Sequence, residues 1–362
     1  MLDFASALYL GFDHATRELL PWTQFTTGKP AALGVPEVAP RIAAGLAAIQ
    51  GCDQATLGPS TLHLFWDLFG VLAVDRPTIF LDVGTYPVAR WGVERAVARG
   101  AQLVKFRHHA ADALRAAFKA QGAVRLRPLV VTDGFCPGCG RPAPLSEYLE
   151  IAREGNGLLI IDDTQALGIF GESPSPQAPF GRGGGGMLRY KQINDPHILL
   201  ACSLAKAFGV PLAALAGHKR LVQRFEERSE SRTHSSPPSI ATLHAAERAL
   251  QRNGKEGDAV RLRLAQRIQH FRRRTMEIGL ALAPSPFPVQ TLAPAPQLDP
   301  VGLYSSLQRD GIRAVLHRAH LDGTPRLSFL ITAKHTIDQL DRAARALFRN
   351  TTPATSFRFA TR

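Results

Sequence analysis

Cysteine is scarce in this chain, with 4 among 362 residues. So few thiols do not make the disulfide framework that stabilises small secreted proteins, and we expect a protein of the reducing cytoplasm. Long apolar runs are missing as well, since no stretch approaches the ~18 residues that a membrane-spanning helix needs. The first four residues lack the basic segment that opens a secretory signal peptide. We therefore expect neither a membrane span nor an export signal.

Acidic residues are the less abundant charged class, because 30 Asp and Glu stand against 43 Lys and Arg, for a net charge of +13. Such an excess is compatible with nucleic acids, anionic membranes or small anions such as phosphates and coenzyme A. The densest basic run covers residues 261–274, where Leu264, Ile268 and Phe271 recur at helical spacing. This pattern predicts the solvated face of a long helix. No basic and aromatic module accompanies it, so we do not expect nucleic acid as a partner.

Short apolar segments alternate with amphipathic ones over the first two thirds of the chain. We predict strands at residues 78–82, 103–106, 128–132, 157–161, 197–203 and 212–216. We predict helices at residues 38–50, 62–73, 88–99, 110–120 and 146–155. This alternation indicates an α/β fold with a mostly parallel sheet.

The pattern changes near residue 222, where long helices replace the alternation. We predict helices at residues 238–253, 259–278 and 336–348, and short strands near 289–292, 312–316 and 326–331. The chain therefore divides, by prediction, into an N-terminal arm (1–45), a large α/β domain (46–221) and a smaller C-terminal α+β domain (222–350). The Thr-, Ser- and Arg-rich tail (351–362) is expected to be frayed.

Lys206 lies in a short loop between two apolar segments that are predicted to be buried strands. Lysine is seldom fully buried without a partner. Two interpretations are open from the local sequence. The amine forms a Schiff base with an aldehyde cofactor, a role that needs a shielded ammonium of low pKa. Alternatively, the stem packs under a loop while the ammonium reaches water.

Polar residues follow several predicted strands at their carboxyl ends, where parallel sheets bind ligands. They are Asp82, Asp133, Asp162 and Ser203. From sequence alone, Asp133 is either a residue close to a ligand or a cap of its strand.

An aldehyde-bearing pyridine cofactor needs a lysine, a carboxylate against the ring nitrogen, an aromatic face and a phosphate site. The chain offers Lys206, Asp162 and Tyr86 for the first three. Ser60 and Thr61 precede an apolar helix, whose free N–H groups and hydroxyls suit the phosphate.

In order along the chain, these segments resemble motifs of the fold-type I pyridoxal-phosphate enzymes. The resemblance is to their α-oxoamine synthase branch, which includes 8-amino-7-oxononanoate synthase and 2-amino-3-ketobutyrate CoA ligase. The similar segments are residues 2–11, 131–145, 159–183, 203–209 (similar to TLSKAFG) and 333–336 (similar to AAHT). The resemblance implies a fold-type I transferase with a large, mostly parallel-sheet domain and a smaller C-terminal α+β domain.

The resemblance also implies roles for individual residues. Lys206 becomes the Schiff-base lysine and Asp162 the partner of the pyridine nitrogen, while Ser60, Thr61 and Ser203 bind the phosphate.

Residues 233–238 are similar to a family segment that reaches the phosphate from a partner subunit. They bring His234 and Ser235 to the cofactor and imply a homodimer with shared active sites.

The chain departs from the family at three positions. Tyr86 replaces the histidine that stacks on the ring, and Gln165 replaces a second histidine next to the cofactor. Tyr86 can still stack, and Gln165 can donate to the phenolic oxygen, but neither carries a proton that titrates near neutral pH. The arginine that binds the substrate carboxylate is matched only by Arg326, since Ser328 takes the expected place.

We expect a cytoplasmic acyltransferase that condenses an amino acid with an acyl thioester, for example acyl-CoA, through an aldimine on Lys206. The departures keep two alternatives open, a pyridoxal-phosphate-dependent aminotransferase and a catalytically impaired family member that serves as a partner subunit. No metal is expected, because Cys136 and Cys139 form a lone C-x-x-C pair without further ligands at suitable spacing.

Overall fold

The structure is a computed structural model that describes residues 1–122, 127–296, 298–319 and 323–351. The chain forms two compact units. The larger consists of Leu8–Pro137 and Arg141–Leu262, and the smaller of Met1–Ala7, Gly138–Gly140 and the chain from Arg263 onward. The arm and domain bounds expected from sequence stay a prediction. The expected frayed tail falls outside the described residues beyond position 351.

Strands and helices follow one another through most of the chain. In chain order the strands are β1 (Leu2–Asp3), β2 (Gln54–Gly58), β3 (Thr78–Asp82), β4 (Gln102–Phe106), β5 (Pro128–Asp133), β6 (Phe135–Cys136), β7 (Arg141–Pro142), β8 (Leu158–Asp162), β9 (Ile198–Ser203), β10 (Ala213–Gly217), β11 (Val289–Thr291), β12 (Ile312–Arg313), β13 (Val315–Arg318) and β14 (Pro325–Leu330). The α-helices are α1 (Val38–Gln50), α2 (Thr61–Leu72), α3 (Pro87–Ala98), α4 (Ala111–Ala120), α5 (Leu145–Glu154), α6 (Met187–Lys191), α7 (Lys219–Arg228), α8 (Glu230–His234), α9 (Ile240–Glu277), α10 (Pro300–Arg309) and α11 (Ile337–Thr351).

A seven-stranded sheet in the order β2-β10-β9-β8-β5-β3-β4 forms the centre of the larger unit. The five consecutive strands β9-β8-β5-β3-β4 are parallel to one another, whereas β10 is antiparallel to both β2 and β9. Strands that are covered on both faces need apolar side chains on both, which explains the apolar residues 128–131 of β5. The whole of this strand is buried, including Thr132 and Asp133 at its end. The predicted α/β fold with a mostly parallel sheet is confirmed.

The register of the sheet aligns the carboxyl ends of its central strands. Asp133 pairs with Asp162 across β5 and β8. Ala213, the first residue of β10, pairs with Ser203 on one side and with Gly58 on the other. With about 4.8 Å between neighbouring strands, Gly58 and Ser203 lie about 10 Å apart at the same edge. The chain segments that follow these strands therefore meet at one edge of the sheet.

The smaller unit contains an antiparallel sheet in the order β11-β14-β13. A separate two-stranded sheet of the same unit consists of β1 and β12, which are parallel. Phe4, which follows β1, stacks on the His335 ring at a centroid distance of 4.4 Å and meets the Phe329 ring edge-on. The N-terminal residues are therefore part of the core of this unit.

The helical structure predicted at 238–253 and 259–278 is confirmed, but the predicted break between them is wrong, since both lie in one 38-residue helix, α9. Side chains bridge the glycines at which the prediction ended the first helix. Arg252 donates to Glu256 over 2.7 Å, and Arg261 donates to Asn253 over 2.7 Å. Arg261 is also only 2% exposed, so the basic run does not begin on a solvated face as predicted. The elements that were not predicted from the sequence are β1, β2, β6, β7, α6, α7, α8 and α10.

Among the described residues, no helix is both long enough and apolar enough to cross a bilayer.

Candidate active site

Lys206 lies in the turn that follows β9, at the carboxyl edge of the sheet. Its Nζ atom is 5.9 Å from the centre of the Tyr86 ring. Burial lowers the pKa of the Lys206 amine, and the negative charge of Asp162 opposes this shift. An amine with a lowered pKa is unprotonated for a larger fraction of the time, which is what a nucleophile toward an aldehyde requires.

Asp162 ends β8 and is 7% exposed. The pKa of this carboxyl is raised overall, because the effect of burial exceeds that of the hydrogen bonds from Thr164 and of the positive charge of Lys206, which lower it. The backbone N–H of Thr164 donates to Asp162 Oδ1 over 3.0 Å. These contacts favour the carboxylate form, which a protonated ring nitrogen requires as its partner.

Thr164 connects Asp162 to the loop that carries Lys206. Its Oγ1 atom accepts a hydrogen bond from the backbone N–H of Ser203 over 3.1 Å. The hydroxyl of Ser203 in turn accepts from the backbone N–H of Ala205 over 3.2 Å. Thr164 was not expected from the sequence. The available signal was the strand-end aspartate, since in an Asx turn the aspartate carboxylate accepts from the backbone N–H two positions on.

Tyr86 precedes α3, which begins at Pro87. Proline suits the first helical position because its missing N–H would have no partner within the helix. The backbone N–H of Tyr86 donates to Asp133 Oδ1 over 3.0 Å, and its side chain is 50% exposed. The ring therefore has an open face at the same edge as the Lys206 amine.

Gln165 lies next to Thr164 and is held by a residue from the start of the chain. The Tyr9 hydroxyl donates to Gln165 Oε1 over 3.0 Å. Because this oxygen accepts from Tyr9, the amide nitrogen of Gln165 points away from Tyr9 and can donate a hydrogen bond to another group. Tyr9 lies in the N-terminal motif, but its contact with Gln165 was not expected.

Ser60 and Thr61 form the beginning of α2, the helix that follows β2. The Ser60 hydroxyl accepts from the backbone N–H of His63, as an N-cap does, and lies 2.9 Å from His63 Nδ1. The register of the sheet places this helix start at the same edge as Ser203. Two hydroxyl-bearing segments and the N–H groups of a 12-residue helix thus converge on a place suited to an anion.

Residues 78–347 match the family model of aminotransferase class I and II. The chain belongs to this family.

Two curated relatives of this chain are 8-amino-7-oxononanoate synthases. The one from Ralstonia pickettii (strain 12J) is 32% identical over 228 residues, which cover 60% of this chain and 52% of the relative. The one from Methylococcus capsulatus is 30% identical over 253 residues, which cover 68% of this chain and 62% of the relative. The matched part thus spans less than two thirds of the length of these relatives.

Two solved structures share the fold at low sequence identity. One is a serine palmitoyltransferase with its pyridoxal-phosphate internal aldimine (TM-score 0.80, 16% identity, covering 96% of this chain and 86% of that one). The other is 8-amino-7-oxononanoate synthase from Francisella tularensis (TM-score 0.75, 17% identity, covering 96% and 97%). The fold-type I architecture and the resemblance stated from sequence are confirmed.

The remaining predicted site residues of this aminotransferase-family chain are placed as follows. Exposed His234 ends α8, and Ser235 follows it. Arg326 lies on β14 of the smaller unit. The expected contacts of these three residues with cofactor or substrate stay predictions. Ser328, at the place of the family arginine, is 1% exposed and lies 2.7 Å from the hydroxyl of Thr291.

Proposed function

We propose that this protein is a pyridoxal-phosphate-dependent transferase that condenses an amino acid with an acyl thioester. The observation that carries the proposal is the half-buried amine of Lys206, which the charge of Asp162 influences and which lies 5.9 Å from the Tyr86 ring. Membership of the aminotransferase family and the names of the relatives support this choice.

The residues of the site fit pyridoxal phosphate. Lys206 supplies the amine for the aldehyde, and Asp162 supplies a buried carboxyl for the ring nitrogen. Tyr86 offers an open aromatic face. The phosphate is matched by the start of α2, with Ser60 and Thr61, and by the hydroxyl of Ser203 at the same edge. We propose these residues, together with Gln165 and the partner's copies of His234 and Ser235, as the cofactor site.

When bound, the cofactor withdraws electrons from the α-carbon of an amino acid and so weakens the bonds to that carbon. Asp162 holds a proton at the ring nitrogen, because its carboxylate is stabilised by Thr164. Lys206 removes or returns the proton at the α-carbon. The amide nitrogen of Gln165 donates toward the phenolic oxygen, and the ring of Tyr86 shields one face from water.

The names of the relatives favour condensation over transamination, so the aminotransferase alternative is not favoured. The acyl thioester, for example acyl-CoA, and the amino acid are proposed as substrates. Arg326 is proposed to bind the substrate carboxylate.

We further propose that the protein is a cytoplasmic homodimer. Large apolar side chains are exposed along α2 and α3, where a monomer would expose them to water. They include Leu62 (41%) and Trp66 (47%) on α2, Trp91 (47%) on α3, and Tyr86 (50%) directly before α3. A cluster of this kind is typical of an interface. Since Tyr86 belongs to it, a second copy would lie beside the cofactor site.

The proposal is tested by adding pyridoxal phosphate to the protein and recording the visible absorbance of a Schiff base. Borohydride reduction should then attach the cofactor covalently to Lys206, and Lys206→Ala should show neither colour nor adduct. An adduct that persists in Lys206→Ala would refute the assigned lysine.

A panel of amino acids, each with and without acyl-CoA, separates the reactions. Release of free thiol only when both are present supports condensation. Conversion of the cofactor to its amine form by an amino acid alone would support the aminotransferase instead.

A further inference from the structure

Asp133 and Asp162 form a pair of buried carboxyls that the proposed chemistry does not use as a pair. They are in register on the adjacent parallel strands β5 and β8, and they are 9% and 7% exposed. In-register residues of neighbouring strands project from the same face of the sheet, about 5 Å apart. Two carboxyls at this spacing away from water do not both ionise readily.

The contacts of the two carboxyls differ. Asp162 receives the N–H of Thr164 and is stabilised by the hydroxyl of Thr164 and the charge of Lys206. Asp133 accepts the backbone N–H of Tyr86 over 3.0 Å. The negative form is therefore better stabilised on Asp162, and a shared proton belongs on Asp133.

Other charged groups act on Asp133 from neighbouring segments, including Lys206 in the turn after β9. Asp82 ends β3 on its other side, and His108 follows β4. The Nδ1 atom of His108 lies 2.7 Å from Asp82 Oδ1, so the two form their own pair. Burial and the negative charges of Asp162 and Asp82 raise the pKa of Asp133 well above its usual range. Hydrogen bonding from Tyr86 and the charge of His108 lower it less.

We propose that Asp133 is a positioning residue that remains uncharged beside the charged Asp162 and holds the backbone of Tyr86 at the start of α3. Through this hydrogen bond, Asp133 connects Tyr86, which is proposed to stack on the cofactor ring, to the paired ends of β5 and β8. Asp162, the proposed partner of the ring nitrogen, lies at the end of β8. A single negative charge then faces that nitrogen. The role toward the cofactor rests on the proposed function, whereas the uncharged state of Asp133 does not.

Two variants separate the two parts of this proposal. Asp133→Asn keeps an acceptor for the Tyr86 N–H and cannot ionise, whereas Asp133→Ala removes the acceptor. Asp112→Asn, on an exposed residue of α4, is the matched control for loss of a surface carboxylate. None of these three substitutions alters a residue that is assigned to contact the reacting atoms.

The first measurement is the melting temperature of the cofactor-free protein from pH 5 to pH 8. A carboxyl whose pKa is higher in the folded state stabilises the fold at low pH, and this stabilisation is lost as the pH rises. Asp133→Asn should therefore melt above the unmodified protein by a margin that grows with pH, while Asp112→Asn shows no such trend. A margin that is constant, negative or shrinking with pH overturns the uncharged state.

The second measurement is the dissociation constant of pyridoxal phosphate. Asp133→Asn should bind as the unmodified protein does, and Asp133→Ala about tenfold more weakly, as the loss of one hydrogen bond predicts. Equal losses in both variants, or unchanged binding by Asp133→Ala, overturn the positioning role. If the unmodified protein does not bind the cofactor, the proposed function and the positioning role both fail, while the pH measurement still decides whether Asp133 is uncharged.

Discussion

The hydroxyl of Tyr9 donates a hydrogen bond to Gln165 Oε1 over 3.0 Å, although 156 positions separate the two residues in the chain. Tyr9 is 1% exposed, and burial raises the pKa of its phenol, so it remains protonated and keeps donating throughout the physiological range. The orientation of the Gln165 amide is therefore set by a residue of the N-terminal segment.

Tyr9→Phe should weaken cofactor binding about three- to tenfold, because the ring still packs but the Gln165 amide can rotate. Titration of the cofactor-free protein with pyridoxal phosphate measures the change. Tyr304→Phe is the matched control, since the Tyr304 hydroxyl accepts only at the surface, from Gln308 over 2.9 Å. A loss of equal size in the control would mean that the effect is not specific to Gln165.

Thr164→Val should lower the free energy of unfolding by about 1–3 kcal/mol, because the N–H of Ser203 and the Asp162 carboxyl both lose a partner. The valine side chain has nearly the same shape, so packing contributes little to this change. Thr164→Ser, which keeps the hydroxyl, should recover most of the loss in urea denaturation. If the serine variant is as unstable as the valine variant, the hydroxyl is not the cause.

The stability of the cofactor-free protein should fall between about pH 4 and pH 8 in part because of Asp163. This residue is 1% exposed and accepts from the backbone N–H of Met187 over 3.0 Å. Burial raises the pKa of Asp163 to about 8. A carboxyl whose pKa is raised by folding contributes stability below its unfolded value of about 3.9, and this contribution disappears as the pH rises through the folded value.

Asp163→Asn should therefore gain stability over the unmodified protein as the pH increases through this window. Melting curves at pH 5 and pH 8 provide the measurement. The prediction is refuted by a variant whose melting temperature falls in parallel with that of the unmodified protein.

Trp91→Glu should convert the proposed dimer to monomers, because it places a charge in the apolar cluster on α2 and α3. Sedimentation of equal protein concentrations reports the change. Met276→Glu is the control, since Met276 is 72% exposed on α9 outside the cluster. A dimer that survives Trp91→Glu would locate the interface elsewhere.

Much of the large sheet could be predicted because its strands are short apolar runs that are buried on both faces. The predicted strand at 78–82 agrees with β3 at both ends. By contrast, β2 was missed because Gln54–Gly58 contains one large aliphatic residue, Leu57, and lacks an apolar run. The continuity of α9 was missed because glycines suggest a helix end. The helix continues past them with side-chain hydrogen bonds from Arg252 to Glu256 and from Arg261 to Asn253, which the glycines themselves do not indicate.

The amino-acid sequence by itself determined the fold class, the lysine between two buried strands and the aspartate at the end of β8, because each follows from local apolar pattern and from ordered motifs. Only the tertiary structure decided that Tyr9 orients Gln165, that Thr164 joins Asp162 to the Lys206 loop and that Asp133 lies beside Asp162. Those relationships depend on strand order and register, which bring distant residues together and which the periodicity of a single segment does not encode.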